Sequence, residues 1–205
     1  GSASTITSTT SGTLTCSGTV GTGAFALTLN GATGSTGIMS GIISTPTSVI
    51  KNGAGTWTLT NSANTYTGAT TITAGELRLN PISTPATFAS QIVLDGGKLS
   101  TTGITAGTTI TSSSTLDLMA NSSIDLGSNV HSLKFAASDG ISWSGTGLTI
   151  NGWTGTAGIS GTAGKIFFGS AAGTLTGGQL LTIGFTGHAG TPMLLGTGEL
   201  VPSVP

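Results

Sequence analysis

Apolar residues in this chain come in short alternating bursts. In GAGTWTLTNSANTYTGATTITAGELRL, residues 53–79, Trp57 and Leu59 lie between Thr56, Thr58 and Thr60, and Leu77 and Leu79 flank Arg78. A period of two sends one set of side chains inward and the other outward on a strand. The pattern therefore predicts Trp57, Leu59, Ile72, Leu77 and Leu79 as core and leaves the threonines to solvent. Similar bursts of Ile, Leu, Val and Thr recur along the chain, bounded by Gly, Asn, Ser or Asp, which is strand-and-turn punctuation. Long helices are not expected.

The bursts echo one another. AFALTLNGA at Ala24 to Ala32 resembles GTWTLTNSA at Gly55 to Ala63, ITAG at Ile72 recurs at Ile104, and AGELRL at Ala74 is answered by GGKLST at Gly96. Leu77 and Leu99 in the last pair stand 22 residues apart, the length of one solenoid coil. The other echoes fall at different separations, so the period is loose and loops vary between coils. Asn30-Gly31, Asn52-Gly53, Asp95-Gly96, Asp139-Gly140 and Asn151-Gly152 are also hairpin-turn dipeptides. Periodicity alone thus allows an antiparallel sandwich as well as a parallel β-helix.

Composition changes this picture in two ways. Only 5% of the 205 residues are charged, five Lys or Arg against six Asp or Glu, while Gly numbers 35 and Thr is one residue in five. Solubility must rest on hydroxyls and backbone rather than on ions. So few cations supply no basic stripe for phosphates, so nucleic acid is not an expected partner. Nor does any run of eighteen apolar residues exist to predict a transmembrane helix. Cys16 is the single cysteine, which forbids an intrachain disulfide and reads as a small, partly buried residue. Gly1-Ser2 reads as an expression scar ahead of a trimmed fragment.

The stretch GTWTLTNSANTYTGATTITAGELRL resembles the autotransporter-associated β-strand repeat, through Gly53, Gly55, Thr56, Leu59, Asn64, Thr65, Tyr66, Thr67, Gly68, Thr70, Thr71, Ile72, Gly75 and Leu77. Trp57 stands where the family usually has Leu, and Glu76 where it has Thr. A second stretch, from SLKFAAS at Ser132 through WSGTGLTINGWTG, KIFFGS and LTGGQLLTIGF to GELVP, is similar to the closing segment of large bacterial surface proteins that carry such repeats. The resemblance implies an all-β fold, a right-handed parallel β-helix (β-solenoid), in a secreted or cell-surface bacterial protein. It brings no catalytic residues. The expected organisation is solenoid repeats over 3–150, followed by terminal coils and a cap over 151–205. Thr176-Gly177-Gly178-Gln179 has the form of a helix capping box, predicting one short helix that covers an open end of the coil. Trp143, Trp153, Phe167, Phe168 and Phe185 concentrate here and predict a larger local core.

Candidate chemistry is sparse. His131 and His188 lack metal-ligand spacing, and the acids Glu76, Asp95, Asp117, Asp125, Asp139 and Glu199 are scattered singly. Asp117 and Asp125 form the nearest pair, each expected to point outward into solvent. No catalytic residue, metal site or cofactor is proposed, and the chain is not expected to be an enzyme. Asn121-Ser122-Ser123 is a formal glycosylation sequon of little weight in a bacterial protein.

Three roles for the threonines follow. The first is structural: a stalk, passenger or adhesin-like module in which Thr supplies β-propensity. The second is an outward Thr-x-Thr face that binds ice, with Thr56, Thr58, Thr60, Thr71, Thr73, Thr109 and Thr111 as candidate ligands. The third is contact with a surface glycan, a host or a neighbouring cell, for which Tyr66 is the candidate ring, although its place in the repeat points to packing. A charge-poor rod can also self-associate end to end.

Overall fold

The computed structural model describes residues 3–10, 12–21, 23–44, 48–81, 86–88, 91–112 and 114–204; Gly1-Ser2 lies outside them. Three parallel sheets wrap one core. Strands Ser4–Ser8, Leu27–Gly31, Val49–Lys51, Thr70–Ile72, Ile92–Asp95 and Leu116–Ala120 stack in that order as the first sheet. The second sheet stacks Thr13–Cys16, Thr36–Met39, Thr56–Leu59, Glu76–Leu79, Lys98–Ser100, Ser122–Asp125, Leu148–Asn151 and Ile183–Phe185. The third runs through Ala86–Phe88, Thr108–Ser112, His131–Phe135 and Gly164–Phe168, and it ends on the antiparallel pair Glu199–Val201 and Met193–Leu194. Three circuits, beginning at Thr70, Ile92 and Leu116, place one strand in each sheet; among the described residues the strands before them alternate between the first and second sheets and those after them between the second and third, so the architecture is a β-solenoid.

Register shows which echo marks the coil. Leu77 lies opposite Leu99 and Glu76 opposite Lys98, so AGELRL and GGKLST are stacked copies. AFALTLNGA and GTWTLTNSA are not: Leu27–Gly31 belongs to the first sheet and Thr56–Leu59 to the second. Ile72 likewise pairs with Leu94, not with Ile104. Those two echoes reflect the shared alternation of any strand rather than a coil period.

The alternation itself holds. Trp57, Leu59, Ile72, Leu77 and Leu79 are all at most 1% exposed, in a core that continues through Leu94, Leu118, Ile150 and Phe168. Threonines, however, do not all face water. Thr70, Thr101 and Thr108 point inward, and each is paired: Thr70 with the Tyr66 hydroxyl at 2.7 Å, Thr101 with His131 at 2.8 Å, Thr108 with the Thr105 carbonyl at 2.6 Å. A buried hydroxyl is tolerated only when so paired.

Between first and second sheets the chain turns through glycines in the left-handed region, Gly53 at φ 71° and Gly75 at φ 62°. A Cβ on Gly75 would run into the carbonyls of Gly53 and Gly55 in the preceding coil, so the corners stack backbone on backbone. The Asn64 side chain ties the opposite corner, accepting from Ile43 N at 2.8 Å and donating to Asn61 O at 2.9 Å. Asn61 in turn donates to Ser40 O at 2.9 Å.

The predicted short helix is Gly177–Leu181, with Thr176 as N-cap and the full reciprocal capping box to Gln179. It lies between the last strand of the third sheet that runs parallel and the last strand of the second, on the side where the first sheet would have continued. Gln179 Nε2 donates to Ser138 O at 2.8 Å and Ile141 O at 2.9 Å, docking the helix on the segment above that sheet. Trp153, Phe168 and Phe185 join the core as expected; Phe167 instead faces outward beneath Lys134 Nζ, 5.1 Å from the ring centroid. A hairpin, Gly155–Thr156 with Ser160–Gly161, is clasped by buried Glu199, which accepts from Gly161 N at 2.7 Å and Ser160 Oγ at 2.9 Å.

Trp57 shows how a column absorbs a large side chain. Gly37 stacks directly on Trp57, and a Cβ at 37 would overlap the indole, whose Nε1 donates to Asn30 O at 2.7 Å. Gly37→Ala is predicted to destabilise by about 1–3 kcal/mol through overpacking. Adding Trp57→Leu, the residue usual in such repeats, relieves the overlap, so the double variant unfolds at higher urea than the two separate losses would sum to. Additive losses in urea titration would refute this coupling.

Candidate functional site

The seven threonines of the sequence-derived recognition face occupy three different sheets. Thr71 and Thr73 lie on or beside a first-sheet strand, Thr56, Thr58 and Thr60 on or beside a second-sheet strand, and Thr109 and Thr111 in the third sheet. Thr71 and Thr58 are stacked with unlike neighbours, Thr71 between Ile50 and Val93 and Thr58 between Ile38 and Arg78, whereas Thr56 has Thr36 on one side and Glu76 on the other. Thr109 meets Ser132, and Thr111 lies between Thr87 and Lys134. Several of these hydroxyls are already used within the chain. Thr60 and Thr73 donate to Met39 O at 3.4 Å and Lys51 O at 3.1 Å in the previous coil.

The second sheet offers the longest outward face. Thr13, Thr36 and Thr56 form one column, which continues into Glu76, Lys98, Ser123 and Thr149. Glu76 takes the place of a family-typical Thr, and it gathers two cations: Arg78 Nη2 and Lys98 Nζ each lie 2.8 Å from its carboxylate. Burial raises its pKa, but the hydrogen bonds and charges of Lys98 and Arg78 outweigh this and hold the carboxyl below its usual range. Beside this cluster runs a shallow groove of about 360 Å³ whose floor is glycine backbone at Gly75, Gly96, Gly97 and Gly147, with Lys98 and Asn121 on its walls. The Asn121 side chain already accepts from Thr146 N and Thr146 Oγ1, at 3.1 and 3.0 Å.

Asp117 and Asp125 are not a pair. Asp117 stands on the first sheet and Asp125 on the second, where Asp125 Oδ1 accepts from Gly127 N at 3.0 Å. Asp117 is less solvated than its pattern suggested: its Oδ1 is buried without a partner, and burial raises its pKa against a backbone hydrogen bond from Leu118. Tyr66 is only 3% exposed, so its ring packs in the core and presents no surface to a glycan. No three of the described His, Cys, Asp or Glu residues converge as metal ligands.

Sequence reasoning missed Lys51. It follows Ile50 on a strand whose inward column is Leu29, Lys51 and Ile72, so alternation turns a lysine into the core. The side chain is fully buried, and Nζ bends to the corner to donate to Asn52 O at 3.1 Å, Gly53 O at 2.8 Å and Ala74 O at 2.9 Å. These three acceptors satisfy an ammonium's three donors. Burial pushes its pKa down to about 8, with the Glu76 charge opposing. The signal was present in the period-two pattern, which carries straight through Val49–Lys51.

His131 is another buried titratable side chain, 3% exposed. Its Nδ1 lies 2.7 Å from Asn129 O, an acceptor only, so Nδ1 carries the proton and Nε2 accepts from the Thr101 hydroxyl at 2.8 Å. Burial lowers its pKa, and the bond to Asn129 opposes this in part. A folded pKa below the unfolded value of about 6.5 means that the unfolded chain binds the proton first on acidification. Stability is therefore full above about pH 6.5 and falls as the pH drops toward the folded pKa. Urea midpoints at about pH 7 and pH 5 are predicted to differ, and His131→Gln to shrink that difference; an unchanged gap would refute the assignment.

The coil that carries Lys51, Trp57 and Tyr66 also matches a known family. The family model described as passenger-associated-transport-repeat matches residues 49–79, two successive strands of the first sheet and two of the second. No curated protein and no solved structure was found to match the chain. Residues 49–79 thus match the passenger-associated-transport-repeat, which supports an autotransporter passenger repeat family, and they are set within a β-solenoid whose other coils stack on them in register.

Proposed function

We propose that this chain is a structural segment of a secreted or cell-surface bacterial passenger, a stack of coils that spaces or presents rather than catalyses. The observation that carries this reading is continuity. The family repeat is joined to coils on both sides by the same parallel register, Leu27 to Val49 before it and Thr70 to Ile92 after it. Each coil contacts mainly its neighbours, so stability and length grow by the coil. A spacer tolerates loss of one unit. Deleting residues 50–70, which sets Val49 directly before Thr71, leaves the register intact because Val49 and Thr70 are stacked partners. Fused between an export signal and a membrane-anchored translocator, both the intact chain and this deletion are expected to reach the cell surface folded and protease-resistant. Periplasmic retention of the intact fusion, or unfolding of the deletion, would overturn the spacer reading.

A second reading, ice binding, is favoured by the column Thr13, Thr36 and Thr56 with Thr15 and Thr58 beside it. Ile38 interrupts the second column, and Glu76 and Arg78 close both after three coils. Thermal hysteresis that is abolished by Thr36→Val and Thr56→Val together would establish it; no hysteresis in the unaltered chain would dismiss it.

A further inference from the structure

Two connections outside the regular strands lie near the carboxy-terminal end of the coil, and they meet. From Thr56 to Glu76 one circuit takes twenty residues, whereas from Leu148 to Ile183 it takes thirty-five. Residues 136–147 connect the third sheet to Leu148–Asn151, and residues 169–182, which include the helix, connect it to Ile183–Phe185. Where they pack together lies a cleft of about 310 Å³ lined by Asp139, Ile141, Ser142, Trp143, Thr176 and Thr182 among others. This volume is at the small end of ligand pockets.

The walls divide into groups that are used and groups that are free. Gln179 and Thr176 satisfy each other, and Gln179 Nε2 grips Ser138 O and Ile141 O, so the two connections are locked together. The Trp143 indole N–H is fixed on Leu116 O at 3.0 Å, which holds the ring while part of its surface stays open to the cleft. Thr182 donates to Gln179 O at 2.8 Å. The Asp139 carboxylate and the Ser142 hydroxyl have no partner among the described residues, and both are exposed.

A fixed aromatic surface beside a free acceptor and a free hydroxyl matches one ligand chemistry well. A sugar ring presents an apolar C–H face for stacking and hydroxyls that a carboxylate accepts from. An anion would meet the Asp139 charge, and a metal cation would find one carboxylate only. We propose that this cleft binds a neutral saccharide unit of a surface glycan, with Trp143 as its platform and Asp139 and Ser142 as its hydroxyl partners. The site is independent of the spacer role, because it lies in these two connections and not in the repeat at 49–79.

The test is an NMR titration of the intact chain with tetrasaccharides ending in glucose, galactose, mannose or N-acetylglucosamine. At least one is expected to shift the Trp143 indole N–H and the amides of 139–143 saturably, while the Trp57 and Trp153 indole signals stay in place. Asp139→Ala is expected to weaken that binding about tenfold at an unchanged melting temperature. Trp143→Phe should weaken it less than Trp143→Ala, since a smaller ring keeps some platform. No saturable shift at Trp143 with any probe up to ~10 mM, or undiminished binding by Asp139→Ala, overturns the proposal. So does a shift that maps to the outward face of the second sheet instead.

Discussion

Parallel stacking in register is the constraint on which everything else in this molecule depends. Each strand hydrogen-bonds to the coil before and the coil after, with neighbours about 4.8 Å apart, so every side chain lies directly over a counterpart. Columns, not residues, are what must fit. In the second sheet, Gly37, Trp57, Leu77, Leu99, Ile124, Ile150 and Phe185 form one such inward column. The Trp57 indole in one coil is matched by the missing side chain of Gly37 in the coil before. Gly164 makes the same concession to His131, since a Cβ there would come within 2.8 Å of the imidazole.

Polar groups caught in these columns survive by reaching the corners. Lys51 cannot share its column with Leu29 and Ile72 as an exposed charge would, so its ammonium leaves for the stacked turns and ties Asn52 and Gly53 to Ala74. Its strength as a tie comes from charge-assisted bonds in a dry setting, which are stronger than neutral ones. The other four cations are also engaged: Arg78 and Lys98 by Glu76, Lys134 by Phe167, Lys165 by Ser160 at 2.9 Å. A chain with so little charge uses each cation inside its own architecture.

Much of the fold was legible in the sequence because period-two alternation and turn punctuation are local signals. The core residues of 53–79, the Leu77 to Leu99 spacing and the capping box at Thr176 all stand where those signals placed them. What failed was longer in range. The echo between Ala24 and Gly55 joined strands of different sheets, because any amphipathic strand resembles any other. The threonine face failed to come together for the same reason: Thr56, Thr71 and Thr109 look alike in sequence, but the sheet each joins is set by turn lengths that vary from coil to coil. Thr70 and Thr108 turn inward in the same period-two phase as Ile72 and Ile110, and the partners that make Thr70 and Thr101 tolerable there, Tyr66 and His131, are not marked by any strand pattern.

The same constraint explains where specific recognition can reside. A side chain in a regular coil is flanked above and below by neighbours that fix its space, and its hydroxyl is easily taken by the carbonyl of the coil before, as at Thr60 and Thr73. Residues 136–147 hydrogen-bond to the last strand of the first sheet but form no strand of that sheet themselves, and residues 169–182 close over them with a helix, so side chains here escape the strict column matching of stacked strands. Rigidity is then recovered by a few cross-links, chiefly the amide of Gln179 on Ser138 and Ile141. A fixed scaffold with locally unconstrained chemistry is what a binding loop requires. In a repeat protein it arises only where the repeat is broken, and here the two breaks adjoin.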